Sequence, residues 1–203
     1  MKLIIHAEGS PLRAVTRSLR STRPLITRAT AAMASSAQRK LQSGKWVANS
    51  ALTSAVKGSS KPLQDRGQLL ASQTYRVESD TKGIVGYSHP GAGILHNGGT
   101  IRPKRAKFLT IPAGRKTRSL MRTYGFSPRA CMDGMKAAGY RVWPIFGLRG
   151  NPIICASKGK GKPFTLFILK KSVRIPARPW TRPDETDRTM LRAMMARYSR
   201  GAL

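Results

Sequence analysis

Apolar residues near the start of the chain recur at helical spacing. Leu12, Val15 and Leu19, followed by Ile26, Ala29, Met33, Ala37 and Leu41, keep to one stripe at intervals of three or four, as one buried helix face requires. Pro24 interrupts the stripe, and because proline lacks an N–H and crowds the preceding turn, two helices or one kinked helix are predicted. Ser10 and Pro11 supply an N-cap and a first-turn proline, and Ser43-Gly44 ends the second helix. Ahead of them Leu3–Ile5 reads as an edge strand. A linker at residues 58–62 precedes a short helix over about Leu63–Tyr75. Ile84 and Val85 before Gly86 read as a short strand, which His89-Pro90-Gly91 breaks before the brief apolar segment Ile94-Leu95. Asn97-Gly98-Gly99 then reverses the chain, and Phe108, Leu109 and Ile111 resume an extended pattern that Pro112 closes.

Three extended runs come later: Tyr140–Phe146, Pro152–Ala156 and Phe164–Lys171. The last is apolar on both faces at its centre, as an interior strand is. Residues 114–138 are rich in Arg, Lys, Gly and Met with weak periodicity, which predicts a loop holding a short helix around Arg129–Ala138. The chain closes on a helix. Thr181 and Asp184 form a capping-box-like pair at its head, and Asp184, Glu185 and Asp187 lie at the positive end of its dipole. Its apolar stripe is Met190, Leu191, Met194, Met195 and Tyr198. The pattern predicts an α+β fold, an N-terminal helical pair packed on an antiparallel or mixed β-sheet with a C-terminal helix.

Charge changes this picture most. The 203 residues carry 38 Lys and Arg against 8 Asp and Glu, a formal net charge of +30. A compact chain repels itself at that charge, so a polyanionic partner or neighbour is expected. From Ser10 to Gly44 there is no acid at all, whereas an ordinary solvated helix mixes signs to gain pairs at i and i+4. Cys131 and Cys155 are the only cysteines, too few for a disulfide framework or a zinc site without clustered partners. Both read as reduced, cytosolic thiols. The apolar run at the start is three residues, too short to span a bilayer, so no membrane partner is expected and assembly in the cytoplasm is.

The candidate chemistry is that of contact. Arg102, Lys104, Arg105 and Lys107 stand on one loop between two apolar runs, and the turn Gly159-Lys160-Gly161-Lys162 projects two more cations. Both are candidates for facing DNA or a channel that carries it. Charge spread over many elements suits phosphate contact, while no helix-turn-helix or zinc-finger spacing supports base reading. Catalysis has little to work with: the one dense acidic group is explained by capping, and no GxxxxGK[ST], GxSxG or CxxC motif occurs. His6, His89 and His96 are not spaced as metal ligands. No enzyme activity, metal or cofactor is expected, and His96, Asn97, Gly98 and Gly99 read as a structural turn in which the glycines permit positive φ.

The order Leu63-Gln64-Asp65-Arg66-Gly67-Gln68-Leu69, Gly83-Ile84-Val85-Gly86, Ile94-Leu95-His96-Asn97-Gly98-Gly99-Thr100 and Ile175-Pro176-Ala177-Arg178-Pro179-Trp180 resembles the phage virion-morphogenesis family. Members are tail-completion or head–tail joining components of tailed bacteriophages. The resemblance spans about residues 10 to 198 and implies one domain over 1–203, with 114–163 as an insertion. It implies a structural subunit of the neck or tail, a tail terminator or connector neighbour, in a ring around the DNA channel, with the hexamer a form often taken by such family members. Implied partners are tail-tube, terminator and connector proteins, further copies of the chain and double-stranded DNA contacted without sequence specificity. Arg178, Pro179 and Trp180, with Met190 and Met194, are the candidate subunit or partner interface, since Trp and Arg are enriched at binding hot spots; Trp180 as a cap on the chain's own core is the equal alternative. Composition alone favours a basic nucleic-acid-binding protein of ribosomal or nucleoid type. The ordered motifs and an expected shortage of exposed aromatic rings for stacking stand against that alternative.

Overall fold

A computed structural model describes residues 2–6, 21–147 and 150–200. In chain order the elements are β1 (Lys2–His6), α1 (Arg23–Gln42), α2 (Ala51–Lys57), α3 (Gln68–Ala71), β2 (Gln73–Ser79), β3 (Lys82–Tyr87), α4 (Ala92–Asn97) and β4 (Gly99–Ile101). There follow β5 (Leu109–Pro112), α5 (Arg115–Tyr124), α6 (Pro128–Ala137), β6 (Tyr140–Ile145), β7 (Ile153–Lys158), β8 (Phe164–Lys170), β9 (Val173–Ile175) and α7 (Glu185–Ser199). The fold is mixed α+β with antiparallel sheets, an N-terminal helix and a C-terminal helix. The chain forms two compact units: residues 1–46, 63–98 and 176–203 make the first, and 47–62 with 99–175 make the second. The stretch 114–163, expected as an insertion, lies within the second unit, which also takes in residues well before it.

The first unit is built on the sheet β1-β3-β2, with β1 at an edge as its sequence implies. Every residue from Gly83 to Tyr87 in the central strand is buried. Helix α1 packs on β2 and β3, and Gly83 allows the approach: a Cβ there would lie 1.8 Å from the Thr30 hydroxyl oxygen. The buried stripe of α1 includes Ile26, Ala29, Met33, Ala37 and Leu41. Pro24 does not kink this helix. It sits in the first turn, where its missing N–H costs nothing. Ser43 caps the far end and Gly44 follows at φ +69°. The expected cap Ser10-Pro11 and the stripe Leu12, Val15 and Leu19 lie outside the described residues.

Local pattern misled at residues 63–75. Only α3 is helical there, and Gln73–Ser79 instead pairs with β3 as strand β2, because the ladder satisfies backbone groups that a short exposed helix would leave to water. The capping pair of α7 also differs from expectation. Asp184 accepts from the Asp187 backbone N–H and Asp187 accepts from that of Asp184, both at 3.0 Å, while Thr181 turns to His96. Asp187 is buried and also accepts from the Ser36 hydroxyl and the Lys40 ammonium, both on α1. Lys40 further reaches Asp184 at 2.9 Å.

The second unit has the four-stranded sheet β5-β8-β7-β6 and the two-stranded ladder β4-β9. The interior strand expected at Phe164–Lys171 is β8. Helices α5 and α6 pack with these strands around Cys131, Met135, Ala156, Leu166 and Phe167. Where a loop with one short helix was expected, 115–137 holds two helices in close contact; a Cβ on Gly134 would lie 2.6 Å from the Tyr124 carbonyl. Both cysteines are free and buried, and burial pushes the Cys131 thiol up.

Replacing Asp187 with Ala leaves Lys40, itself only 19% exposed, with less than its full set of acceptors. Urea denaturation followed by Trp fluorescence is expected to show a loss of about 3 kcal/mol. Glu185→Ala, whose partners Arg188 and Arg192 are exposed, is expected to cost under about 1 kcal/mol.

Candidate nucleic-acid interface

Strand register divides the predicted cation set into two places. Ile101, the last residue of β4, pairs with Val173, and Leu109, the first of β5, pairs with Lys170. The basic loop over 102–108 therefore leaves and rejoins the fold beside one short stretch, Lys170–Val173. Half-buried Pro103 and Phe108 anchor it, while Arg102, Lys104, Arg105 and Lys107 are all exposed. Exposed Lys171 lies in the stretch between the loop's two anchors. Of the two apolar runs expected to hold the loop, the one that follows it is half-buried in β5, whereas β4 ahead of it is exposed throughout.

Lys160 and Lys162 lie at the opposite end of the same sheet, in the turn from β7 to β8. Beta strand β8 has seven residues, so roughly 20 Å separates the two clusters at about 3.3 Å per residue. Two further cations join the turn end. The Lys116 ammonium on α5 stands 3.7 Å from the centre of the Phe164 ring, and that of Lys158 stands 5.2 Å from the Tyr140 ring. Sequence patterning missed both, since each meets its ring across separate elements.

Electrostatics sharpen the contrast between the units. The second holds 20 of the 38 cations and one acid, Asp133, a formal net charge of +19. Asp133 lies 3.9 Å from Arg129, and both are exposed. Among the described residues none of Arg102, Lys104, Arg105, Lys107, Lys160 and Lys162 forms an ion pair. In the first unit five of the described acids meet cations: Glu78 with Arg76 and Lys82 at 2.6 and 2.8 Å, Asp80 with Arg23 at 3.7 Å, Glu185 with Arg188 and Arg192, and Asp184 and Asp187 with Lys40. Lys82 and Arg76 hold the Glu78 carboxyl below its usual range. The expected shortage of exposed aromatics is corrected for this unit: Phe126 is 81% exposed and Phe146 67%, because both sit at element ends where no neighbouring strand or helix covers them.

The proposed joining element is also corrected. Trp180 is wholly buried and Arg178 nearly so, so neither side chain presents a surface. Trp180 sits in a core with Ala37, Leu41, Leu69, Tyr87 and Ala92, and meets the Tyr87 and His96 rings edge to face at 5.5 and 5.0 Å. Pro179 is half-buried. Met190 and Met194 are half-buried too, and Met190 packs against Met33, Ala34 and Val85 inside the unit. The apolar pattern that suggested an interface reports the core.

The turn residues behave as structural parts. His96 and Asn97 end α4, Gly98 follows at φ +72°, a backbone state that glycine adopts without strain, and Gly99 begins β4. His96 is buried. Its Nδ1 lies 2.7 Å from Asn97 Oδ1 and its Nε2 2.9 Å from the Thr181 hydroxyl. A neutral ring that donates from Nδ1 and accepts at Nε2 satisfies both, an assignment made from the partners. Its carbonyl accepts from the Arg178 backbone N–H at 3.0 Å. Among the described residues no group of three or more His, Cys, Asp and Glu is placed to hold a metal ion, and no helix is long and apolar enough to cross a membrane. No known protein family, curated protein or solved structure matches the chain.

Replacing Arg102, Lys104, Arg105 and Lys107 together with Gln is expected to weaken binding to duplex DNA and flatten its salt dependence. Each lost phosphate contact removes roughly 0.9 from the slope of log K against log salt. Lys160→Gln with Lys162→Gln tests the other cluster in the same titration. An unchanged slope removes the corresponding cluster from the interface.

Burial lowers the pKa of His96 from its ordinary 6.5, and the charge of Arg182 adds to the effect. The unfolded chain then binds more protons just below pH 6.5, so stability is complete above that pH and declines as pH falls. Thermal unfolding midpoints are expected to drop between pH 7.5 and 5.0, and His96→Gln to flatten that drop.

Proposed function

We propose that the chain is a structural component of a tailed-bacteriophage virion, a neck or tail-completion subunit that joins the tail to the DNA-filled head in a ring around the DNA channel. One observation carries this reading. Three of the four motif segments, far apart in sequence, meet in a single core: Leu63 and Leu69 from the first, Leu95 and His96 from the third, Trp180 from the last; the second runs into it through the adjoining Tyr87, while its own Val85 packs against Met33 and Ala34. An ordered set of short motifs that builds one folding core is what a shared fold preserves, so the gathering supports the resemblance as one of architecture. In this reading the motif residues hold the fold together. The cations make the contacts.

A ring multiplies +30 by its copy number, and such a ring requires duplex DNA or acidic neighbouring proteins to neutralise it. Partners in this reading are tail-tube, terminator and connector proteins, further copies of the chain and DNA contacted through phosphates; the virion is its location, and no catalysis or cofactor is involved. The charge of the second unit, with its exposed Phe126 and Phe146, favours a second reading, a basic nucleic-acid-binding protein that acts outside any virion.

Disrupting the gene in its own genome and imaging the lysate by negative stain separates the two. The expected result is DNA-filled heads and finished tails that fail to join, restored by the intact gene. Joined, infective particles would overturn the head–tail role. Light scattering of the isolated protein is expected to show a monomer or small oligomer at low salt, since like-charged subunits resist closure without a partner.

A further inference from the structure

Beside the core of the first unit lies an open cleft of about 480 Å³, a size suited to a small ligand or a few residues of peptide. Its apolar walls are Trp46, Pro179 and Pro183, and exposed Arg39, Lys45 and Arg182 rim it. The Trp46 ring is fixed: its indole N–H donates to the Lys40 carbonyl at 2.8 Å, at the C-terminal end of α1, and the ring also packs against the core around Trp180. Pro179 and Pro183 are rigid by their own rings. The site thus needs little ordering on binding, which favours affinity.

We propose that this cleft docks an acidic segment of a partner protein, with an apolar or aromatic residue seated on Trp46 between the prolines. Charge decides the occupant. Among the described residues Arg39, Lys45 and Arg182 form no ion pair, whereas Lys40 on the cleft wall is neutralised by Asp184 and Asp187. The rim therefore offers three uncompensated positive charges around an apolar floor. A second copy of the chain makes a poor occupant, with 8 acids against 38 cations and its densest acidic stretch folded into the cap of α7. Asp184, with a side chain 53% exposed, favours a peptide over a nucleic acid. Beyond its bonds to the Asp187 N–H and Lys40, its carboxylate has lone pairs left for a peptide backbone N–H, a donor that a phosphate chain does not offer. Proline and tryptophan walls likewise match an extended peptide, as in other aromatic-lined peptide grooves. The inference stands whether or not the head–tail role does, because it rests on the first unit alone.

The test uses the full chain at physiological salt, where charges more than about 8 Å apart are largely screened. The probe is a fluorescein-labelled peptide of Asp and Glu around a central Phe-Pro, measured by anisotropy. Lys45→Glu with Arg182→Glu is expected to weaken binding about tenfold or more. A control of equal charge change on the same unit, Arg28→Glu with Arg197→Glu, both exposed, is expected to change it by less than about twofold. Replacing the probe's Phe with Ala is expected to weaken binding as well. Equal loss in both variants, indifference to the Phe, or stronger competition by oligothymidylate than by unlabelled peptide would each overturn the proposal. Thermal unfolding checks that the reversed variants fold; if the first does not, Lys45→Gln with Arg182→Gln replaces it under the same criterion.

Discussion

A buried carboxylate orders the first unit. Asp187 accepts from a hydroxyl and an ammonium on α1 and from the backbone N–H that opens α7, so one group fixes both the register of a long helix and the start of the last one. Leaving a buried charge unpaired costs several kcal/mol, and this arrangement leaves neither Lys40 nor Asp187 so exposed to loss. The apolar contacts of Met190 and Leu191 with Met33, Ala34 and Val85 supply burial between the same two helices. Burial is non-directional, whereas the carboxylate permits one alignment of donors.

Acids and cations are thus put to different uses. Five acids of the first unit, Glu78, Asp80, Asp184, Glu185 and Asp187, are tied to cations within that unit. The second unit holds a single acid, so its stability rests on the core around Phe167 and Met135 and works against its own charge. Lys116 and Lys158 relieve part of that by lying over aromatic rings, where the ring quadrupole offers the negative density that carboxylates would otherwise provide.

Legibility in the sequence followed the strength of local signals. Strands β6, β7 and β8 were visible because short apolar runs stood between turn residues, and the head of α7 because three acids crowd it. Helix α5 was not: its inward residues Thr117, Leu120, Met121 and Tyr124 keep helical spacing, but a polar Thr leads them and three Arg and one Lys surround them. The extended stretch from Arg76 was legible, but the start of β2, Gln73–Tyr75, was read as helix because its pairing with β3 is a non-local fact that residues 63–75 do not carry. The cations assigned to the candidate interface are all exposed, and their division between two ends of a sheet depends on register, which the sequence does not carry. Trp180 shows the limit of residue-type arguments. Trp beside Arg signals a hot spot or a core equally well, and only burial separates the two.

Each unit is woven from separate stretches of chain, and this fixes an order of events during synthesis. The residues of the second unit are complete once Ile175 has been made, whereas the first still lacks 176–203, and with it Trp180 and Asp187. Until the ribosome delivers that last stretch, Leu69, Tyr87 and Ala92 have no indole to close over them, and Lys40 has no carboxylate on α7. The half-made unit must therefore keep its apolar strand from sticking to other nascent chains. A strongly cationic chain is well suited to that interval, since like charge holds neighbours apart until the final segment closes the core.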